Sequence, residues 1–167
     1  ANLGSFSQKG RTITMMIRYD SKSTQYKQPF GCLRQDQPCT IRIEIPSGIE
    51  FSQALLCIES DDGRFSRSFP MEYVRSVEGA QTAEDYKIYQ CVFSLSECNL
   101  YFYYFTIRTP NSTFNVFKDG SHDTSTSRGD RWQLTCFDRD YDNPEDFKGK
   151  VMYQIFPDRF YSVGSCD

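Results

Sequence analysis

Leu100-Tyr101-Phe102-Tyr103-Tyr104-Phe105-Thr106-Ile107-Arg108 is the strongest strand-forming stretch in this chain of 167 residues. Seven aromatic or β-branched side chains in a row, Tyr101 to Ile107, suit a pleated, half-buried ribbon and leave no helical stripe. Alternation puts Tyr101, Tyr103, Phe105 and Ile107 on one face, the expected core row. Phe102, Tyr104, Thr106 and Arg108 fall on the other, an expected contact surface or the seat of a neighbouring domain. The stretch is bounded by Pro110-Asn111-Ser112, a turn, after which Thr113 to Lys118 is expected to return antiparallel.

Working outward, the same period recurs. Thr40 to Ile45 alternates Ile41, Ile43 and Ile45 against Arg42 and Glu44, and Pro46-Ser47-Gly48 ends it. Ala54 to Glu59 is apolar throughout, and Asp61-Asp62-Gly63 favours a hairpin into a single strand from Arg64 to Glu72. Thr12 to Tyr19 is a first run. Tyr86 to Ser94 carries Tyr89, Cys91 and Phe93 on one face, and Arg131 to Phe137 is a last run. Between Asp119 and Asp130 lies a polar stretch read as a loop. No segment has a sustained helical period. About eight short strands spaced by turn signals indicate an all-β, immunoglobulin-like antiparallel β-sandwich.

Composition narrows the function classes. Nineteen Lys and Arg against 22 Asp and Glu give a net charge of −3, with no basic run, so no electrostatic footprint for nucleic acid is present. No stretch reaches the apolar length of a membrane-crossing helix. The chain has seven cysteines, no Cys-x-x-Cys pair and one histidine, which argues against zinc. Cys57, Cys91 and Cys136 fall inside apolar strand patterns as small hydrophobes. A reduced setting such as the bacterial cytoplasm is expected, with secretion the alternative; Cys32 and Cys39 bracket a loop and are the pair to bridge in an oxidising one.

Candidate chemistry is sparse. His122 sits beside Ser121 and Asp123, but triad partners converge from separate elements, so it reads as a loop histidine. Asp138, Asp140 and Asp142 have the i, i+2, i+4 spacing of a calcium loop. Asn143 stands where that loop needs Gly, and Gly149 where it needs a bidentate Glu. Asn111-Ser112-Thr113 matches a glycosylation acceptor and reads here as a turn. Trp132, the one tryptophan, suits a core position; as a sugar platform it would have to be exposed among polar groups. Trp132, Tyr104, Phe102 and Arg108 are the candidate carbohydrate contacts.

Beyond Trp132 the sequence resembles a known junction. Trp132-Gln133-Leu134-Thr135, Phe137-Asp138, Asn143-Pro144, Lys148-Gly149 and Val151-Met152-Tyr153-Gln154-Ile155-Phe156-Pro157-Asp158-Arg159-Phe160 are similar to the passage from an N-terminal β-sandwich into the catalytic barrel of neopullulanase-like α-amylases of glycoside hydrolase family 13. The family's usual linker Trp is Phe147 here. The resemblance implies a sandwich over residues 1–138, similar to carbohydrate-binding module family 34, a linker over 139–150, and the first strand of a (β/α)8 barrel in 151–167. It implies an accessory role in α-glucan hydrolysis (starch, pullulan, cyclodextrins or maltooligosaccharides) through sugar contact, dimerisation or packing on the barrel, with weak or no glucan affinity on its own. The barrel itself and α-glucan oligosaccharides are the implied partners. The carboxylates of the implied retaining mechanism lie on later barrel strands, so these 167 residues are expected to be inactive alone. Within them Val151 to Phe156 is expected to be disordered or to pair with a sheet edge. The alternative function is a stand-alone immunoglobulin-like interaction or adhesion domain.

Overall fold

A computed structural model describes residues 16–79, 85–120, 123–142, 144–145, 149–152 and 154. In chain order its strands are β1 (Lys27–Gln28), β2 (Leu33–Arg34), β3 (Cys39–Pro46), β4 (Gln53–Ser60), β5 (Ser66–Pro70), β6 (Glu72–Val77), β7 (Tyr86–Phe93), β8 (Asn99–Arg108), β9 (Thr113–Asp119), β10 (Asp123–Ser125) and β11 (Trp132–Phe137). They form two sheets. One runs β1-β3-β7-β6, antiparallel throughout. The other is centred on β8, which pairs with β4 from Gln53↔Arg108 to Ser60↔Tyr101, with β5 beyond β4. The opposite edge of β8 is divided. Phe105 to Arg108 pair with β9, and Asn99 to Tyr103 pair with β11. β10 lies outside β9, and β2 joins β11 in parallel.

The alternation expected for the central stretch holds. Tyr101, Tyr103, Phe105 and Ile107 are buried, and they share one core with Ile41, Ile43 and Ile45 of β3, Cys91 and Phe93 of β7, Leu56 and Ile58 of β4, and Trp132, Leu134 and Cys136 of β11. Residues from both sheets fill a single cluster, so the fold is a β-sandwich. Each such side chain contributes roughly 1.5–3 kcal/mol by leaving water. Ile17 and Tyr19 close the core from the segment before β1. The Tyr19 hydroxyl meets the Tyr103 hydroxyl at 2.7 Å, and the Tyr19 ring stands edge-on to Phe105 and Trp132, each 4.9 Å away between centroids. The two phenols satisfy each other where no water reaches, as buried hydroxyls require.

Several expected boundaries move. Of the Thr12 to Tyr19 run only residues 16–19 lie among the described residues. They touch β3 at one bridge, Arg18 to Glu44, instead of forming a strand. The strand expected from Arg64 to Glu72 is β5, Ser66–Pro70, and a second strand, β6, begins at Glu72 and runs on to Val77, which the sequence reading did not include. β5 pairs with β4, the chain crosses at buried Met71, and β6 pairs with β7 of the other sheet. Pro70, with no amide hydrogen to donate, ends the first pairing. The polar stretch Asp119 to Asp130 is not wholly loop. Gly120, at φ +64°, turns the chain so that β10 pairs back on β9, and Lys118 then bridges to Asp130. The turn at 109–112 forms as expected, with the Thr109 amide donating to the Ser112 carbonyl at 2.8 Å.

The segment after β11 folds back on the sandwich. Arg34 lies over the Phe137 ring and donates from Nη1 to the carbonyls of Arg139 (2.9 Å) and Tyr141 (3.0 Å). Arg139 in turn pairs with Asp36. Residues through Tyr141 are thus held against β2 and the turn that follows it. His122, Ser121 and most of Val151 to Phe160 lie outside the described residues; Val151 and Met152 are exposed.

Cys39, Cys57, Cys91 and Cys136 are buried thiols, whereas Cys32 and Cys98 are exposed ones; Cys32 and Cys39 are not bridged, and Cys166 lies outside the described residues. Burial pushes the Cys39 and Cys136 thiols up to about 11 and Cys91 up to about 12. An unfolded chain ionises these thiols from about pH 8.5. Below that pH both states hold the protons and the thiols make stability no more pH-dependent. Above it the unfolded state loses protons that the native state keeps, so stability falls as pH rises toward 11. Urea midpoints between pH 8 and 10.5 should therefore decline in the wild type, and more shallowly in Cys91→Ala.

Gly129 offers a steric test of the divided edge. A Cβ there would sit 2.9 Å from Phe117 Cβ and closer still to the Lys118 carbonyl oxygen, both part of β9. Gly63 has φ +72° with open space around it. Gly129→Ala is expected to cost about 2–3 kcal/mol through backbone displacement. Gly63→Ala should cost about 1 kcal/mol, from left-handed strain alone. Denaturation midpoints of the two variants check the order.

Candidate functional site

The outward face of β8 carries the candidate contacts. Its residues alternate against the core row, so Phe102, Tyr104, Thr106 and Arg108 point away from the second sheet. The neighbouring strands set the rows. Glu59 of β4 and Gln133 of β11 flank Phe102, Cys57 flanks Tyr104, and Leu55 of β4 and Asn115 of β9 flank Thr106. Gln53 and Thr113 flank Arg108.

Phe102 and Tyr104 are half-buried. Phe117 of β9 lies 5.6 Å from Tyr104 between ring centroids with the planes tilted by 31°, so the two rings make a nearly continuous apolar shelf. Arg131 covers Phe102, its guanidinium carbon 4.9 Å from the ring centre, and its Nη1 donates to Glu59 at 2.6 Å. Thr106 donates to Asn115 at 2.8 Å, which fixes that amide beside the shelf. Burial is the main cause that raises the Tyr104 phenol above its ordinary value, with Cys57 and Glu59 adding to it, so Tyr104 stays a neutral phenol at neutral pH. The result is a flat aromatic strip edged by an amide, a guanidinium–carboxylate pair and a phenol. Such a surface has the chemistry to stack on an apolar ring face and to hydrogen-bond polar groups at its rim.

The structure separates the four candidates. Phe102 and Tyr104 share the strip. Arg108 is six residues beyond Phe102, roughly 20 Å along the strand, where its guanidinium donates to Gln53 at 3.1 Å. Trp132 is on the other side of the sheet. It is 4 % exposed and stacked on Tyr103 at 5.8 Å, so it belongs to the core and offers no face to a ligand. Its register against Tyr103 puts it inward, and its neighbours Arg131 and Gln133 carry the outer surface instead. Phe117, Arg131 and Glu59 were missed by the sequence reading. The alternation of Thr113 to Lys118 does place Phe117 with Asn115 and opposite Val116, but only the pairing of β9 with β8 brings it beside Tyr104.

The aspartates of the calcium-like spacing do not converge. Asp138 accepts from the Asp140 amide at 2.7 Å, an Asx turn. Among the described residues no group of three or more His, Cys, Asp or Glu side chains is placed to hold a metal ion.

Comparison with known proteins locates the chain. No family model matches it. It is 27 % identical over 154 residues to the amylopullulanase of Thermoanaerobacterium thermosulfurigenes, covering 87 % of this chain and 8 % of that protein. It is 26 % identical to the amylopullulanase of Thermoanaerobacterium saccharolyticum, covering 87 % of this chain and 11 % of that protein. The amylopullulanase of Thermoanaerobacter thermohydrosulfuricus is also 26 % identical, covering 89 % of this chain and 10 % of that protein. The chain thus spans about a tenth of the length of the curated relatives it matches. Among solved structures it is similar to the carbohydrate binding module of the muscle glycogen-targeting subunit of protein phosphatase-1, at 15 % identity and a TM-score of 0.37 over 57 % of this chain and 68 % of that one.

The two aromatic environments predict different stability costs. Trp132→Ala should destabilise by about 3–5 kcal/mol, the range for removing a buried large aromatic. Arg131→Ala should cost under about 1 kcal/mol, because its ion pair with Glu59 is solvent-screened. Urea denaturation of both variants measures the difference.

Proposed function

We propose, from the kinship of this chain to one segment of the amylopullulanases, that it is an accessory β-sandwich of a larger α-glucan hydrolase and contacts glucan through the Tyr104–Phe117 strip. The observation that carries the parent is the alignment over 154 residues, which runs through nearly the whole sandwich. The strip supports the contact. Two adjacent half-open rings, one phenol and a fixed amide match the alternating apolar and hydroxylated surfaces of an α-linked glucose chain.

The contact is weak by construction. Neither ring is fully exposed, and a flat sheet face buries less of a ligand than a cleft does. A dissociation constant on the order of 1 mM, or about −4 kcal/mol, is the scale for such a surface. Binding of this strength serves a domain that acts beside a catalytic unit, where tethering supplies the effective concentration. Packing on the barrel is the competing use of the same strip, and it would cover Tyr104.

Titration of the 167-residue chain with maltoheptaose tests the reading. Binding near 1 mM is expected, weakened at least tenfold (about 1.4 kcal/mol) in Tyr104→Ala and in Phe117→Ala. Both variants should keep the wild-type denaturation midpoint to within about 1 kcal/mol. Unchanged binding in the two variants would show that the sugar sits elsewhere.

A further inference from the structure

The outer face of the other sheet holds a cleft of about 340 Å³ with a different chemistry. Its floor is Ile88 and Gln90 of β7 and Arg42 and Glu44 of β3. The outward side chain of Gln90 is tied to its cross-strand neighbour, accepting from Arg42 Nε at 3.2 Å. Glu44, 7 % exposed, is held from the opposite wall by Gln25, which donates to it at 2.8 Å, and by the Tyr26 hydroxyl. Arg18 approaches the same carboxylate at 3.8 Å from outside the cleft.

The far wall comes from an irregularity. β6 slips register against β7 between Tyr73 and Arg75, leaving Val74 as an extra residue. In a regular strand Val74 and Arg75 would face opposite ways. The bulge turns both into the cleft, an apolar side chain beside a guanidinium. Arg75 pairs with Ile88 through the backbone, and its guanidinium makes no hydrogen bond or ion pair with any described residue. Its guanidinium lines the cleft with no partner among the described residues.

We infer that this cleft is a second carbohydrate site, one that takes a neutral sugar unit edge-on by hydrogen bonding instead of by stacking. It stands apart from the aromatic strip and goes beyond the function proposed for it. Every polar group that lines it is planar or a phenol: two amides, two guanidinium groups, one carboxylate and Tyr26. Fork-shaped planar groups span the neighbouring hydroxyls of a pyranose ring, and the lining offers both donors and acceptors, as a hydroxyl requires. Ile88 and Val74 supply the apolar patch for the C–H face. Glu44 is shared between Arg18 outside the cleft and the guanidinium groups within it, and is itself pinned by Gln25 and Tyr26, so the groups are pre-set before a ligand arrives.

Amide chemical shifts of the isotope-labelled 167-residue chain, titrated with maltotriose, test this. Val74, Arg75 and Gln90 are expected to move on a saturable curve separate from that of Tyr104 and Phe117. Arg75→Ala, which removes no side-chain hydrogen bond or ion pair within the described fold, should weaken the cleft curve at least tenfold and leave the strip curve in place. Cleft amides that stay still, or that respond equally in Arg75→Ala, overturn the site. Loss of both curves in Tyr104→Ala also overturns it and leaves the strip standing. A cleft curve with no strip curve upholds the cleft and removes the strip reading; no response anywhere removes both. Inorganic phosphate is the control: a response to phosphate with none to maltotriose makes the cleft an anion site and overturns its assignment to sugar.

Discussion

Everything in this fold hangs on β8 being hydrogen-bonded along both edges while its side chains alternate between a dry face and a wet one. A central strand has no freedom to slip, because a shift of one residue would turn Tyr101, Tyr103, Phe105 and Ile107 outward and bring Arg108 into the core. The inner row is also unusually aromatic. Tyr103 brings a hydroxyl into a region without water, and the Tyr19 hydroxyl at 2.7 Å answers it. That bond helps to hold the segment before β1 across the core, together with buried Ile17 and the bridge from Arg18 to Glu44. Leaving the Tyr103 hydroxyl unpaired would cost about 1–3 kcal/mol. It also seats Tyr19 among Tyr103, Phe105 and Trp132, where edge-to-face contacts add to the burial.

Local alternation was legible wherever one strand buries one face. Ile41, Ile43 and Ile45, and the Tyr101 to Ile107 row, sit inward as their spacing demands. The hairpin at Asp61-Asp62-Gly63 formed for the same local reason, a glycine at φ +72° after a turn-forming aspartate. What escaped was set by partners distant in sequence. Nothing near Met71 says that the chain changes sheets there: Arg64 to Glu72 reads as one run, and only the separate demands of β4 and β7 end β5 at Pro70 and start β6 at Glu72. The two-residue β2 has no periodicity to detect; it exists because Leu33 and Arg34 find Cys136 and Phe137 a hundred residues on.

Arg34 makes the same point about the end of the sandwich. Residues 138 to 141 carry three charges and no apolar run, which reads as a solvated linker. They are docked because Arg34 reaches two main-chain carbonyls, and a carbonyl is present at every residue, so composition gives no sign of which one will be used. The candidate site failed in a related way. Trp132, Phe102 and Tyr104 are equivalent by composition, and only the register of β11 against β8 turns Trp132 inward and leaves Arg131 to cover Phe102.

The outer faces and the exposed edges pose one problem together. A sheet edge offers unpaired amides to other chains, and a sandwich built for surface contact must keep those edges unattractive while leaving its faces free. β1, β2 and β10 are two or three residues long, which leaves little to extend. β5 ends at Pro70. β6, six residues long and exposed for nearly its whole length, is the edge most open to pairing. Its bulge at Val74 interrupts the ladder and twists the edge, and charged Glu72 and Arg75 flank the irregularity. The same displaced residue turns Val74 and Arg75 onto the outer face together. A device that blunts an edge is thereby also what builds a cleft wall, and a regular β6 would forfeit both.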